Sequence, residues 1–335
     1  MNRKKGLIFW SIISLLFLLL LSACAGETNG ENETADSSEK TSDSNSDGDS
    51  ASDDETRVIE TVKGEVEVPA NPKRIVTDLY LADFLALGVK PVGANEWSLR
   101  NPFIEDQIDG IEDIGAPISV EKVLQLQPDL IVVQSDENYE KLNQIAPTIV
   151  IPYASEGDFY GELRKIAEII GKEQEAEDWI ASFEEKAAAE REKIKPFIEE
   201  GETFGIYEIA DEKIYIFGDN WGRGGHVLYR ALQLDPPALM QELIGEGTQY
   251  KELSLEALPG YAADHMFITT YNSQAQGPDE ELFEKMKSSA VWSNLDAIKN
   301  NQVYLMNFLH MYYADPYSLE AQLELMVEKI TGSQE

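Results

Sequence analysis

The stretch DFYGELRKIAEIIGKEQEAEDWIASFEEKAAAEREKIKP, residues 158–196, carries the longest helical pattern in the chain. Its apolar residues recur three and four positions apart, as one face of a helix requires. They are Leu163, Ile166, Ile169 and Ile170 before Gly171, then Ala176, Trp179, Ile180, Phe183 and Ala187. A coiled-coil partner is an alternative, but the apolar stripe is short for one. The pattern therefore predicts a single helix that joins two lobes.

Short apolar runs alternate with helical segments on both sides of this helix. The predicted strands before it are residues 58–62, 64–68, 74–76, 91–94, 128–133 and 149–152, of which the first two form a hairpin. Those after it are residues 204–207, 213–217, 265–269 and 303–306. Such alternation is typical of an α/β architecture with mainly parallel sheets. We predict a first lobe over residues 57–160, a linking helix over 161–198 and a second lobe over 199–335.

The N-terminus has the features of an export signal. Residues 2–5 are basic or polar, residues 7–21 form an apolar run that is short for a membrane-spanning helix, and Leu21-Ser22-Ala23-Cys24 follows. These last residues resemble the lipobox of bacterial lipoproteins, in which the cysteine is lipidated after cleavage. An ordinary secretory signal and a short membrane anchor are the alternatives. We predict a signal peptide over residues 1–23 and lipids on Cys24 that hold the protein at the outer face of the cell membrane.

Residues 24–56 differ in composition from everything after them. After Cys24 they contain eleven acidic residues, Lys40 as the only base and no large apolar side chain. Such a segment cannot bury enough surface to offset the entropy lost on ordering. The sequence predicts a disordered acidic tether, which either lifts the folded part away from the membrane or serves as a neutral spacer.

The chain as a whole is strongly acidic. Its 335 residues include 27 basic and 62 acidic side chains, for a formal net charge of −35. Phosphate backbones repel such a protein, so the charge argues against nucleic acid as a partner. Cys24 is the only cysteine, which excludes an internal disulfide framework. The histidines His226, His265 and His310 are scattered, so a directly held metal ion is not predicted, and His265 is expected to pack in the core.

One sequence pattern occurs twice. The segments ISVE (residues 118–121) and LSLE (residues 253–256) each precede an aspartate and an apolar core run. Each is typical of a serine-capped helix with a glutamate in its first turn. Capping alone accounts for the serine and the glutamate. The shared order further predicts that two lobes of similar plan carry Glu121 and Glu256 in equivalent places.

Six segments of the folded part follow one another in a specific order. They are Lys73-Arg74-Ile75-Val76, Leu87-Gly88-Val89-Lys90-Pro91-Val92-Gly93, Pro128-Asp129-Leu130-Ile131, Trp292-Ser293-Asn294-Leu295, Ala297-Ile298-Lys299-Asn300 and Ala314-Asp315-Pro316. With the lipobox and the tether, they resemble the iron-siderophore substrate-binding lipoproteins of ABC importers. The resemblance implies two α/β lobes with mainly parallel central sheets, one long rigid helix between them and a ligand cleft between the lobes. It also implies that Glu121 and Glu256 dock into arginine pockets of the permease.

The stretch YIFGDNWGRGGH, residues 215–226, predicts a strand, a glycine-rich turn and a helix N-terminus. A phosphate-binding loop is the alternative, but the Gly-Lys-Ser/Thr ending and the Rossmann spacing are missing. The turn is similar to one in hydroxamate-siderophore binders, which implies Tyr215, Trp221 and Arg223 as ligand residues. Weaker candidates are Trp97, Arg100, Trp292, Tyr312 and Tyr313.

Charge favours a hydroxamate siderophore as the ligand. Three hydroxamates balance Fe(III), whereas a tris-catecholate complex is trianionic and needs several converging bases; the candidate cleft loops offer Arg100 and Arg223. These two arginines keep ferric citrate or another carboxylate complex as an alternative. Haem, with Met311 or a tyrosine as axial ligand, and a corrinoid are further alternatives.

A protein of this kind is expected to be a monomer without catalytic activity and without a cofactor of its own, since the iron arrives within the ligand. A surface-anchored hydrolase is the alternative from another class. Neither a Gly-x-Ser-x-Gly nor a His-Glu-x-x-His motif is present in the sequence to support it.

Overall fold

The structure, a computed structural model, describes residues 55–210, 213–271 and 278–332. All of them belong to one compact unit, Ser50–Glu335. The predicted signal peptide, Cys24 and nearly all of the predicted tether lie outside the described residues. In the part of the chain that is described, no helix combines the length and apolar character needed to cross a membrane.

The first lobe consists of a hairpin and a parallel sheet. Its strands are β1 (Thr56–Thr61), β2 (Gly64–Pro69), β3 (Ile75–Thr77), β4 (Gly93–Ala94), β5 (Glu112–Asp113), β6 (Leu130–Val133) and β7 (Thr148–Val150). Strands β1 and β2 pair antiparallel, as predicted. The other five lie in the order β5-β4-β3-β6-β7, and all their pairings are parallel. All four residues of β6 are buried, as expected for a parallel strand covered on both faces.

Short helices connect the strands of the first lobe. They are α1 (Leu81–Ala86), α2 (Glu96–Leu99), α3 (Val120–Leu126) and α4 (Tyr139–Leu142). Helix α3 begins as predicted, because Ser119 accepts a hydrogen bond from the backbone N–H of Lys122.

The helical stretch predicted over residues 158–196 is two helices rather than one. Helix α5 (Phe159–Ile170) ends at Gly171, which has φ +69°, and α6 (Glu173–Ile194) follows. The positive φ favours glycine there, and a Cβ on Gly171 would lie 2.4 Å from a guanidinium nitrogen of Arg57, so the Arg57 side chain would have to move. The long helix is therefore α6 alone, and the linking helix predicted over 161–198 begins too early. A 3₁₀ turn at Lys195–Phe197 ends it.

The sheet of the second lobe is mixed rather than mainly parallel. Its strands are β8 (Phe204–Ala210), β9 (Lys213–Phe217), β10 (Tyr250–Leu253), β11 (His265–Tyr271) and β12 (Val303–Met306), in the order β10-β9-β8-β11-β12. Pairings β8–β11 and β11–β12 are parallel, whereas β8–β9 and β9–β10 are antiparallel. Only two residues separate β8 from β9, which is too few for the crossover that parallel neighbours need.

Six helices accompany this sheet among the described residues. They are α7 (Ala238–Gly245), α8 (Leu258–Tyr261), α9 (Glu280–Lys287), α10 (Asp296–Lys299), α11 (Phe308–Tyr312) and α12 (Pro316–Thr331). A π-helical turn covers His226–Ala231, and a 3₁₀ turn covers Trp292–Asn294. Helix α12 packs against α6, the π-helical turn and α1 of the first lobe, so the two lobes share one hydrophobic core.

The repeated sequence pattern has a structural counterpart in each lobe. The carboxylate of Asp129, before β6, accepts the backbone N–H of Arg74 at 2.9 Å, at the start of β3. The carboxylate of Asp264, before β11, accepts the backbone N–H of Thr203 at 2.8 Å, at the start of β8. The helix predicted around Glu256 is a turn instead, because α8 begins only at Leu258.

Candidate functional site

The parallel strands of the first lobe bring polar side chains to one edge of the sheet. Asp78 follows β3, Asn95 follows β4, Gln134 follows β6 and Tyr153 lies beyond β7. Ligands of open α/β sheets bind at such carboxyl edges. The Asp78 carboxylate accepts the backbone N–H groups of Gln134 at 2.9 Å and Leu79 at 2.6 Å. Burial nevertheless raises the pKa of Asp78 to about 6.

The glycine-rich turn of the second lobe follows β9 and is closed tightly. A Cβ on Gly225 would lie 2.0 Å from the carbonyl oxygen of Gly218, and one on Gly222 would lie 2.4 Å from that of Tyr312. Arg223, between these glycines, has φ +63°, a left-handed conformation that is uncommon outside glycine. The predicted turn is therefore present, and its close backbone approach fixes where the Arg223 side chain starts.

Arg223 is held by one carboxylate and three aromatic rings. Its Nε donates to Oε2 of Glu208 in β8 at 2.5 Å, and the two side chains are only 13% and 8% exposed. Its guanidinium carbon lies 4.6 Å from the ring centre of Tyr312, 4.9 Å from that of Phe308 and 5.3 Å from that of Phe217. Cation–aromatic contacts of this kind add to an ion pair. The Arg223 guanidinium is thus held in place by its neighbours, and the Glu208 carboxylate compensates its charge.

Four of the predicted ligand residues form a continuous stack across the two lobes. The ring of Trp97, from the first lobe, stacks on Tyr312 of the second with 5.6 Å between centroids. The guanidinium of Arg100 lies 4.6 Å from the Trp97 ring, and Tyr312 contacts Arg223 on its other side. The Tyr313 hydroxyl donates to the carbonyl oxygen of Trp97 at 2.7 Å. The stack Arg100–Trp97–Tyr312–Arg223 therefore forms one wall between the lobes.

A cavity of about 240 Å³ lies beside this wall, and we call it the main cavity. The predicted residues Trp221, Arg223, Tyr312 and Tyr313 all line it. Its first-lobe lining includes Leu79, Tyr80, Asp83, Gln134 and Tyr153. A cleft between lobes, lined from both, is the arrangement that the sequence led us to expect.

Trp221 closes one side of the main cavity. Its ring centre lies 4.8 Å from that of Tyr153 in the first lobe and 4.8 Å from that of Tyr250 in β10. The Tyr153 hydroxyl also accepts the backbone N–H of Gly222 at 3.1 Å. A residue of the glycine-rich turn is therefore bound directly to the opposite lobe.

Four predicted ligand residues do not line the main cavity: Trp97 and Arg100, which belong to the stack beside it, and Trp292 and Tyr215. Trp292 is 1% exposed and packs with Phe283 and Leu253 in the core of the second lobe, so it is removed from the ligand candidates. Its aromatic side chain fills the core instead of the cleft. Tyr215 lies in β9, and its hydroxyl donates to Glu252 of the neighbouring strand at 3.2 Å. Its role in ligand binding stays a prediction.

Two acidic side chains border the main cavity from helices α1 and α5. Asp83 is 4% exposed, and burial, followed by the charge of Asp315, raises its pKa well above the ordinary value. Burial and the neighbouring Glu156 raise the pKa of Glu162 to about 7, against the opposing effect of the Ala154 backbone. At neutral pH, Glu162 is therefore about half ionised.

Sequence reasoning missed five residues of the site: Gln134, Tyr153, Glu208, Asp83 and Glu162. Gln134 and Tyr153 could have been recognised from the sequence, because each follows a buried parallel strand and the carboxyl ends of such strands meet at one edge of the sheet. Glu208 had a weaker signal, since a charged residue within an apolar strand needs a partner. Asp83 and Glu162 occupy ordinary helical positions, and only the assembled lobes bring them to one cavity.

The histidines do not converge. His265 is 2% exposed and stacks on Phe204 with 4.4 Å between ring centroids, so its predicted place in the core is confirmed. His226 lies in the π-helical turn and His310 in α11. Met311, considered as an axial ligand for haem, is 1% exposed and belongs to the core. Within the described ranges, no group of three or more His, Cys, Asp or Glu is placed to hold a metal ion.

The two candidate docking glutamates lie on the surface, each with an exposed leucine nearby. Glu121 is exposed at the start of α3, where the Ser119 hydroxyl donates to its carboxylate at 3.2 Å, and Leu124 of the same helix is 59% exposed. Glu256 is exposed in the turn before α8, and its neighbour Leu255 is 39% exposed. Each lobe therefore presents a carboxylate beside an apolar side chain.

Comparisons with known proteins agree with this architecture. The family model described as periplasmic binding protein matches residues 75–308. The iron(3+)-hydroxamate-binding protein YxeB of Bacillus subtilis is 39% identical over 328 residues, which are 98% of this chain and 97% of the relative. The FhuD protein from S. pseudintermedius superposes with a TM-score of 0.73 at 30% identity, over 82% of this chain and 98% of its own. FhuD2 from Staphylococcus aureus, solved with bound ferrioxamine B, has a TM-score of 0.69 at 28% identity, over 77% of this chain and 98% of its own.

Proposed function

Since the chain belongs to the periplasmic binding protein family, we propose that it binds a ferric siderophore of the hydroxamate type and delivers it to an ABC permease. The relative in Bacillus subtilis is named for iron(3+)-hydroxamate binding, and the similar fold of FhuD2 was solved with a ferric hydroxamate, ferrioxamine B. Both support the proposal. The bound complex would lie in the main cavity, between the two lobes.

The charge of the residues that line the main cavity is the observation that favours a hydroxamate siderophore over other ligand classes. Among the described residues that line it, Arg223 is the one with a permanent positive charge, and Glu208 already compensates it. A trianionic tris-catecholate would meet this compensated cation and the acidic Glu162. A neutral tris-hydroxamate instead needs apolar contact and a few hydrogen-bonding groups, which the aromatic lining supplies. Ferric citrate and other anionic complexes are disfavoured for the same reason as the catecholate.

Titration of the purified protein with five ligands tests this proposal. The ligands are a ferric tris-hydroxamate, a ferric tris-catecholate, ferric citrate, haem and a corrinoid, each followed by quenching of tryptophan fluorescence. We expect saturable quenching with the hydroxamate, because Trp221 borders the main cavity and Trp97 stacks on Tyr312, which lines it. Tighter binding of the catecholate or the citrate complex would contradict the ligand class. Saturation by haem or the corrinoid alone would replace it with that alternative.

Delivery would use the two surface glutamates, one on each lobe. Glu121 and Glu256 are exposed, and each would form an ion pair with an arginine of the permease. The exposed Leu124 and Leu255 would add apolar contact beside each carboxylate. With one docking point on each lobe, a single copy of the protein suffices to engage the permease. The permease would then contact both lobes and sense their relative position. A molar mass twice that of one chain in light scattering would contradict the monomer.

The remaining parts of the proposal concern anchoring and chemistry. We propose that Cys24 carries the lipid that holds the protein at the outer face of the cell membrane, and that the protein binds without catalysing a reaction. Cys24→Ser should move the protein from the membrane fraction to the soluble fraction and abolish labelling with a palmitate analogue. Hydrolysis within a broad panel of esters and glycosides would support the hydrolase alternative instead.

A further inference from the structure

A second, smaller space adjoins the main cavity, and we call it the side chamber. Its volume is about 30 Å³. Tyr153, Glu162, Trp221, Gly222 and Ala314 line both spaces, so the side chamber lies directly beside the place proposed for the ligand. A water-sized group needs roughly 10–15 Å³ by this measure, so the side chamber has room for about two such groups.

Two buried side chains of the side chamber carry polar atoms that have no hydrogen-bond partner. His226 is 4% exposed, and neither of its ring nitrogens has a partner. Gln322 is fully buried; its Nε2 donates to the carbonyl oxygens of His310 at 3.0 Å and Tyr313 at 2.8 Å, which leaves its Oε1 without a partner. Buried polar atoms without partners are rare in proteins, and each costs free energy. Two side chains with such atoms around one small space indicate that the space holds a group that donates hydrogen bonds.

The polar atoms in question are chiefly acceptors. Burial lowers the pKa of His226 to about 4, so near neutral pH its ring is uncharged and offers one acceptor nitrogen. The amide oxygen of Gln322 is a second acceptor, and the Glu162 carboxylate is the third. The rest of the lining is largely apolar or backbone and includes Phe159 and Leu319. The side chamber is therefore suited to a small group with several N–H donors and a positive charge.

We propose that Glu162, His226 and Gln322 form a subsite for the terminal primary ammonium of a ligand whose iron–hydroxamate part lies in the main cavity. An ammonium has three N–H donors, which match the three acceptors. Its charge compensates the Glu162 carboxylate, which burial and the neighbouring Glu156 otherwise destabilise. Tyr80 and Tyr153 also lie near that carboxylate, and their hydroxyls are uncharged at neutral pH, so neither adds a negative charge that would compete for the ammonium. The subsite rests on the proposed function.

The test compares ferrioxamine B, a linear tris-hydroxamate complex that ends in a primary amine, with its N-acetyl derivative. Acetylation removes the charge and two N–H donors and leaves the iron centre unchanged. Affinities are measured by fluorescence titration with the wild-type protein, with Glu162→Gln and with Glu156→Gln. Glu156 is exposed and lies outside the side chamber, so its variant controls for loss of a nearby charge.

We expect the wild type to bind the amine form about 10- to 100-fold more tightly than the acetylated form, as for a charge-assisted hydrogen bond. The ratio should fall to about one in Glu162→Gln and persist in Glu156→Gln. Equal affinities in the wild type would overturn the subsite and indicate that it holds water only. A preference that persists in Glu162→Gln would also overturn it, since size rather than charge would then discriminate. If neither complex binds, the hydroxamate proposal itself fails.

Discussion

The Nε of Arg223 donates to Oε2 of Glu208 at 2.5 Å, so the only permanent cation in the described lining of the main cavity carries its own counter-charge. Glu208 is 6% exposed and lies on the central strand β8, where strands on both sides restrict its movement. The pair therefore determines how much positive charge a ligand meets. A buried ion pair of this kind is worth less as stabilisation than as a means of selecting a partner.

Removal of the counter-charge should change ligand selectivity. In Glu208→Gln, the guanidinium of Arg223 would face the main cavity uncompensated, so anionic iron complexes should bind better. We expect the affinity for a ferric tris-catecholate, relative to a ferric tris-hydroxamate, to rise at least about tenfold. Paired fluorescence titrations measure this ratio. Glu252→Gln, which removes an exposed carboxylate on β10, is the matched control, and an equal change in both variants would contradict the role of Glu208.

Substitution of Trp221 should weaken ligand binding, whereas substitution of Trp292 should lower the stability of the fold. Trp221→Leu removes a ring that borders the main cavity, so we expect ligand affinity to fall about 10- to 100-fold with a small change in the free energy of unfolding. Trp292→Leu removes a ring that is 1% exposed in the core, so unfolding should become easier by roughly 3 kcal/mol while affinity stays within about twofold. Urea unfolding and ligand titration of both variants measure the two quantities. Loss of affinity in Trp292→Leu alone would reverse the assignment.

The carboxyl group of Glu162 should make stability depend on pH. Its pKa rises from an ordinary value of 4.5 to about 7 in the folded protein, so the folded state binds more protons than the unfolded state between these values. Stability is then lost as the pH rises from 4.5 to 7, by about 3 kcal/mol from this group. Glu162→Gln should therefore be more stable than the wild type at pH 8 and nearly equal to it at pH 4. Thermal unfolding at several pH values measures the difference, and a constant difference would contradict the raised pKa.

The docking glutamates should affect transport without affecting ligand binding. In the double variant Glu121→Ala with Glu256→Ala, we expect affinity for the permease to fall while the dissociation constant for the ferric hydroxamate stays unchanged. Both carboxylates are exposed, and neither residue lines the main cavity. Iron uptake in cells and ligand titration in solution give the two readouts.

A matched control for docking is Glu140→Ala with Glu281→Ala, which removes one exposed carboxylate from each lobe at other positions. We expect this second pair to transport normally. Normal uptake by the first pair would show that docking does not depend on Glu121 and Glu256.

Much of the fold could be predicted because its signals are local. The apolar run of β6, the β1–β2 hairpin and the serine cap of α3 each depend on residues within a few positions of one another. The antiparallel placement of β9 was missed because an apolar run has the same composition in either direction. The break at Gly171 was underestimated, although glycine at a helix end is a known stop signal.

The strongest site predictions came from one segment, and the weaker candidates Tyr312 and Tyr313 also line the main cavity. Trp221 and Arg223 were identified from the glycine-rich turn, whose glycines are required by close backbone contacts. Glu208 was missed because its partner, Arg223, lies 15 positions away on a different element. The side chamber was missed for the same reason, since its acceptors come from α5, the π-helical turn and α12.

The sequence by itself determined the two α/β lobes, the helical stretch between them and the glycine-rich turn, because periodicity and turn chemistry act over short distances along the chain. Only the tertiary structure decided that Tyr313 hydrogen-bonds to Trp97, 216 positions away, and that Trp221 borders the cavity whereas Trp292 fills the core. A tryptophan carries the same apolar surface in either place. Whether that surface meets a ligand or another core residue depends on how distant elements pack, which no short window of sequence contains.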